Sequence, residues 1–153
     1  MVSVQSRCAR QIGSGMHRIL LSTFIIDVPS DVHDPTLAFW SSALGAQARH
    51  AGGDMPYHIL ENALPENRVV VQDVGSGSAG VHFDIHTDDL DAEIERLEAI
   101  GATMVDRSWA DHPGCWVIMR DPAGKEFCVV YALNELRPQA DRDDFERRAK
   151  SVG

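Results

Sequence analysis

Hydrophobic and polar positions follow one order along this chain, and they follow it twice. Residues 20–28 (LLSTFIIDV) form a run of apolar and β-branched side chains, which predicts a buried strand. Leu37, Trp40 and Leu44 then recur at helical spacing. Asp34 is the predicted N-cap, Pro35 the first helical residue and Gly45 the terminator. Short strands are expected at 46–50, 57–60 and 68–74, separated by Gly52-Gly53 and by turn chemistry at 64–67. After a flexible joint at 75–80 (GSGSAG), the order begins again. In 81–86, Val81, Phe83 and Ile85 alternate with His82, Asp84 and His86, so the two sets face opposite sides of a strand. Asp88 or Asp89 caps a helix with Leu90, Ile94, Leu97 and Ile100 on one stripe, and Gly101 ends it. Strands follow at 102–106, 116–120 and 125–131, the last two joined by a tight turn at 121–124.

Each half therefore reads as βαβββ. Gly45 and Gly101, which end the two helices, stand at the same separation as Gln72 and Cys128 in the two closing strands. Thr23 and His82, in the opening strands, are slightly further apart, a difference taken up by the longer loop 27–34. A pseudo-repeat of this size means two similar modules sharing one core. The predicted class is α+β: two tandem βαβββ modules, 18–76 and 79–132, forming a cup-shaped, mostly antiparallel sheet with the helices outside. Residues 1–17 read as a loose tail or upstream extension, with Met16 as an alternative start. Residues 133–153 read as a polar tail with a short helix at 143–150. A concave sheet whose polar faces turn inward is a natural small-molecule site.

Composition narrows the function classes. The chain has 153 residues, the size of one ordinary domain, and is 44% hydrophobic, enough for a core. Its formal net charge is −9 without any basic cluster, which speaks against a nucleic-acid surface and favours a cationic ligand. No apolar run is long enough for a membrane span, and residues 1–15 lack a secretory core. The cysteines are Cys8, Cys115 and Cys128, an odd count without a C-x-x-C pair. A disulfide framework is therefore not expected, and a reducing, cytoplasmic compartment is the default.

Pseudo-symmetry sets Thr23 against His82 and Gln72 against Cys128. At these residues, and at Leu37-Ala38-Phe39-Trp40 with Leu44-Gly45, at 81–91 (VHFDIHTDDLD) and at 121–130 (DPAGKEFCVV), the chain resembles the vicinal oxygen chelate superfamily. That superfamily includes glyoxalase I, bleomycin-resistance proteins and extradiol dioxygenases, and the resemblance is greatest to single-chain glyoxalase-like members. It covers roughly residues 18–132. In metal-dependent members each module supplies a histidine-type ligand from its first strand and a glutamate from its last. Position by position, the resemblance implies Thr23, Gln72, His82 and Cys128, of which only His82 keeps the family type. Thr23 and Gln72 are weak neutral donors, and no carboxylate remains for a hard ion. No cofactor is therefore expected, and a divalent metal, if one binds, is assigned to His82, Cys128, Gln72 and Thr23. The resemblance also implies a homodimer.

The expected ligand-binding residues are Thr23, Asp27, Gln72, His82, Asp84, His86, Trp116 and Cys128, with His82 as the catalytic candidate. His82 and His86 lie four apart on one strand, about 13 Å at ~3.3 Å per residue, too far for one ion to bridge. His82 is placed deep in the cup. His86 and Asp84 are read as a solvated rim. Asp27 is equivalent to His86, and a His–Asp couple there would suit acid–base work. Trp116 is either core or an aromatic wall, because a one-residue slip of register reverses its face. Cys128 reads as a small residue filling the cup wall. His33, His50, His58 and His112 show no metal-ligand spacing and read as surface residues. The leading functional expectation is a metal-independent small-molecule binder of the bleomycin-resistance type. The alternatives are a metal-dependent lyase, isomerase or dioxygenase, though not glyoxalase I proper, and a non-catalytic interaction domain.

Overall fold

A computed structural model describes residues 15–110 and 114–153. The N-terminal tail expected before residue 15, Cys8 and His112 fall outside these residues. The elements appear as βαβββ, repeated once, followed by a helix and a strand. They are β1 (His17–Val28), α1 (His33–Ala43), β2 (Gln47–His50), β3 (Tyr57–Glu61), β4 (Arg68–Asp73), β5 (Gly80–Thr87), α2 (Leu90–Ala99), β6 (Thr103–Asp106), β7 (Trp116–Arg120), β8 (Glu126–Tyr131), α3 (Gln139–Arg148) and β9 (Lys150–Val152). The class is α+β with mixed strand pairing, as expected. The chain divides into two compact units, Ser22–Phe83 and Asp84–Gly153, the second also holding the residues up to Leu21. No helix among the described residues is long and apolar enough to cross a membrane.

In Ser22–Phe83 the strand order is β2-β3-β4-β1, with β3 antiparallel to both neighbours and β4 parallel to β1. The β-branched run Val69-Val70-Val71 is buried along its length, as a strand enclosed on both faces requires. Val28, Leu60, Val69 and Val71 form the core, against which Leu37 and Trp40 of α1 pack. Leu44, expected on the same stripe, is exposed. The start of α1 differs from the expectation. A short 3-10 turn, Ser30–Val32, runs directly into the helix, and Val32 takes the cap position without a side-chain bond. Asp34 therefore lies inside the first turn, where its charge still favours the helix dipole. Gly45 adopts φ +60°, the left-handed conformation that ends the helix at low cost.

In the other unit the order is β5-β8-β7-β6, with β5 parallel to β8 and the remaining pairs antiparallel. Asp89 is the cap of α2, accepting from the Ala92 amide at 3.0 Å. Leu90, Ile94 and Leu97 pack on Val117, Met119 and Val129. Glu93, on the same helix, is fully buried. It accepts from Arg96 through both carboxylate oxygens at 2.8 Å and pairs with His17 Nε2 at 2.6 Å.

The stretch expected as a polar tail carries α3 and β9, and β9 pairs antiparallel with His17–Ile19 of β1. Phe145 anchors α3, only 1% exposed, under the Arg18 guanidinium. Arg18 also donates to Asp88 at 2.7 Å and to Glu146 at 2.8 Å. A single buried aromatic therefore docks a helix that is polar almost everywhere else. Val81 and Phe83, on the apolar side of the β5 alternation, are 46% and 41% exposed and belong to neither core cluster. His86, read as a solvated rim, is buried, at the end of β5 where the buried Ala132 donates to the Thr87 carbonyl.

Candidate functional site

Parallel pairing of β1 and β4 sets Asp27 directly beside Gln72, and Thr23 lies two alternations back on the same face of β1. Thr23 is buried, and its hydroxyl donates to Ser22 Oγ at 3.4 Å. The His–Asp couple that forms is Asp27 with His82: Asp27 Oδ2 lies 2.6 Å from His82 Nδ1. Their side chains are 19% and 17% exposed, respectively. A charge-assisted bond of this length favours the tautomer with its proton on Nδ1, donated to the carboxylate, and a lone pair on Nε2. Asp27 also lines an open, mainly apolar hollow of about 410 Å3, with Val32, Thr36 and Trp40 from the α1 side and Gly80 and Val81 from the start of β5. Its volume lies within the usual range for small-molecule sites.

The remaining expected residues belong to the other unit. The parallel register of β5 and β8 sets Asp84 opposite Cys128 and His86 opposite Val130. Trp116 also stands opposite Val130, while the next residue, Val117, belongs to the core under α2. Trp116 therefore faces away from that core, as an aromatic wall does, and it stacks on Trp109 with ring centres 4.9 Å apart. Cys128 is in no disulfide and is half-buried.

Sequence reasoning missed one grouping altogether. His33, at the start of α1, lies 5.4 Å ring-to-ring from His58 of β3, and His58 lies 5.0 Å from His50 of β2. His33 is buried and His58 half-buried, so only His50 matches the surface reading. The available signal was the symmetry of His50 and His58 about the glycine turn, which makes them a cross-strand pair.

A family model of the glyoxalase-like domain matches residues 23–130, well over half the chain. The chain belongs to the glyoxalase-like family of the vicinal oxygen chelate superfamily. Among solved structures it is similar to a hypothetical protein from Bacillus halodurans C-125, with TM-score 0.55 and 16% identity over 78% of this chain and 99% of that one. It is also similar to 2,2',3-trihydroxybiphenyl 1,2-dioxygenase from Sphingomonas wittichii strain RW1, with TM-score 0.51 and 13% identity over 82% of this chain and 44% of the enzyme. At these identities the likeness shows the fold. No curated protein matches the chain.

The resemblance implies Thr23, Gln72, His82 and Cys128 at the positions where metal-dependent members hold their ion. The donors there are a hydroxyl already bonded to Ser22, a neutral amide, an imidazole whose Nδ1 is held by Asp27, and a thiol. That set lacks the two carboxylates on which a hard divalent ion relies, so it does not fit the family's usual ion.

Proposed function

We propose that this glyoxalase-like protein binds a small organic molecule at the Asp27–His82 couple, without the superfamily's usual metal. The observation that carries the reading is the 2.6 Å contact between Asp27 Oδ2 and His82 Nδ1 beside a mainly apolar hollow. An imidazole oriented by a carboxylate can accept a proton or a hydrogen bond through Nε2, the role of an acid–base group or a ligand anchor. Apolar walls from Val32, Trp40 and Val81 would take the hydrocarbon part of the ligand. The net charge of −9 favours a cationic ligand, as in proteins of the bleomycin-resistance type. The reading includes a homodimer acting in the cytoplasm.

The test is metal analysis of untagged protein followed by a calorimetric screen of small organic molecules that includes amphipathic cations. Micromolar binding that is lost in His82→Ala and weakened in Asp27→Asn supports the reading. Silence across the panel counts against small-molecule binding. Near-stoichiometric metal that disappears in His82→Ala would replace the reading with a metal-dependent lyase, isomerase or dioxygenase.

A further inference from the structure

Asp27, Gln72 and Tyr57 form one row across the sheet of the Ser22–Phe83 unit. The parallel register of β1 and β4 pairs Asp27 with Gln72, and the antiparallel register of β3 and β4 pairs Gln72 with Tyr57. Residues paired in this way share a face, and neighbouring strands lie about 4.8 Å apart, so Gln72 stands between an acid and a phenol in a row roughly 10 Å wide. All three residues are half-buried. The next row on the same face is closed: Ile25 and Val70, paired two residues back, are only 5% and 4% exposed. The polar row is therefore the open edge of this face. Two of its members have hydrogen-bonding capacity left over. Asp27 Oδ1 is buried without a hydrogen-bond partner, while Oδ2 serves His82. The Gln72 amide makes no side-chain hydrogen bond among the described residues. A buried acceptor in that state calls for a donor that the described residues do not supply.

We propose that Gln72 selects the ligand of this site through its amide. It admits a molecule that carries an N–H donor and a C=O acceptor side by side, as in a carboxamide, lactam or ureide, with no anionic group there. The inference rests on the reading that a small organic molecule binds at the Asp27–His82 couple. Complementarity is the first argument. A glutamine side chain offers N–H donors and a carbonyl acceptor in one plane, so an amide-type edge satisfies both ends at once, whereas an ester offers acceptors alone. In a primary carboxamide the second N–H is left for the Asp27 carboxylate, whose Oδ1 lacks a donor. Charge is the second. Asp27 carries the one carboxylate of the row, and the row holds no lysine or arginine. A ligand carboxylate or phosphate placed there would meet like-charge repulsion with nothing to offset it. Placement is the third. Gln72 is flanked within its row by Asp27 and by Tyr57, which limits the positions its side chain can take. Less ordering is then needed when the ligand binds.

The test is calorimetry with matched sets of substituted benzylamines, each prepared as the primary carboxamide, the methyl ester and the free acid. In the wild type the carboxamide should bind about tenfold tighter than the ester, the usual effect of a hydrogen bond partly shielded from water, and the acid should bind more weakly still. Gln72→Leu should bring carboxamide and ester within a factor of about two of each other. Gln72→Met, which keeps the length of the side chain, should do the same and serves if the leucine variant does not fold. His82→Ala should weaken every form. Carboxamide and ester bound equally by the wild type, or a preference that survives the Gln72 substitutions, overturns this inference and leaves the couple as the binding site. Absence of binding by any form, or binding that His82→Ala leaves unchanged, overturns the reading of the couple itself and the inference with it.

Discussion

His82 Nδ1 stands 2.6 Å from Asp27 Oδ2, although the two residues are 55 positions apart in the chain. Both side chains are less than one-fifth exposed, so the bond is shielded from solvent more than an ordinary surface pair. Asp27→Asn exchanges the carboxylate for a neutral amide that can either accept or donate. We expect a stability loss of about 1–2 kcal/mol in urea unfolding, typical of a lost charge-assisted bond. The more specific readout is the imidazole tautomer, followed by 15N resonances of His82. The wild type should hold its proton on Nδ1, and Asp27→Asn should shift population to the Nε2–H form. Unchanged tautomer populations would remove Asp27 as the residue that orients His82.

Glu93 is a fully buried carboxylate satisfied by Arg96 and His17. Breaking a buried charged pair by removing one partner costs more than the pair itself contributes, because the other partner stays behind without compensation. Glu93→Ala should therefore destabilise the fold by about 3–5 kcal/mol. Arg96→Ala should cost less, because its guanidinium is partly exposed and His17 still serves Glu93. Equal losses in the two variants, measured by chemical denaturation, would contradict this ordering.

The repeated βαβββ order was legible because each half carries its own hydrophobic period and glycine stops, and local periodicity survives in any tertiary setting. Asp89 and Gly101 were readable for the same local reason. Contacts between distant strands were not. Pseudo-symmetry named Asp27 and His86 as equivalent positions, but equivalence is not contact, and the partner of Asp27 is His82. The C-terminal helix was underestimated because its docking depends on one aromatic, Phe145, in an otherwise charged stretch. The histidine group was hidden because it needs both the register of the β2–β3 hairpin and the exact first turn of α1. The face of Trp116 was undecidable until the β7–β8 register was known.

His58 gives the stability of this protein a definable pH dependence. Burial lowers its pKa below the ordinary imidazole value of 6.5, and the neighbouring His50 and His33 lower it further, while Asp34 opposes them weakly. The folded protein then binds this proton less tightly than the unfolded chain does. The contribution of the neutral ring is fully present above the unfolded value of 6.5 and is lost as pH falls through the lower folded-state value. His58→Gln should flatten the decline of melting temperature between about pH 7 and pH 5, where an unperturbed imidazole titrates. A decline as steep as that of the wild type would mean that other groups carry the acid sensitivity.

Phe145 holds the C-terminal segment in place. It is 1% exposed on a helix whose other residues are mostly charged, and Arg18, lying over its ring, links it to Asp88 and Glu146. Phe145→Ala should cost about 3–5 kcal/mol, the usual range for deleting a buried aromatic. The loss should appear first as local opening. Without its anchor, α3 depends mainly on ion pairs, and an exposed one such as Arg147 with Asp144 contributes little. Limited proteolysis of Phe145→Ala should therefore cut between Tyr131 and α3 at protease levels that leave the wild type intact. Hydrogen exchange should rise in β9 and in its partner residues His17–Ile19 while α2 stays protected. Protection lost equally in α2 would show that α3 unfolds only with the whole unit and is part of its cooperative core.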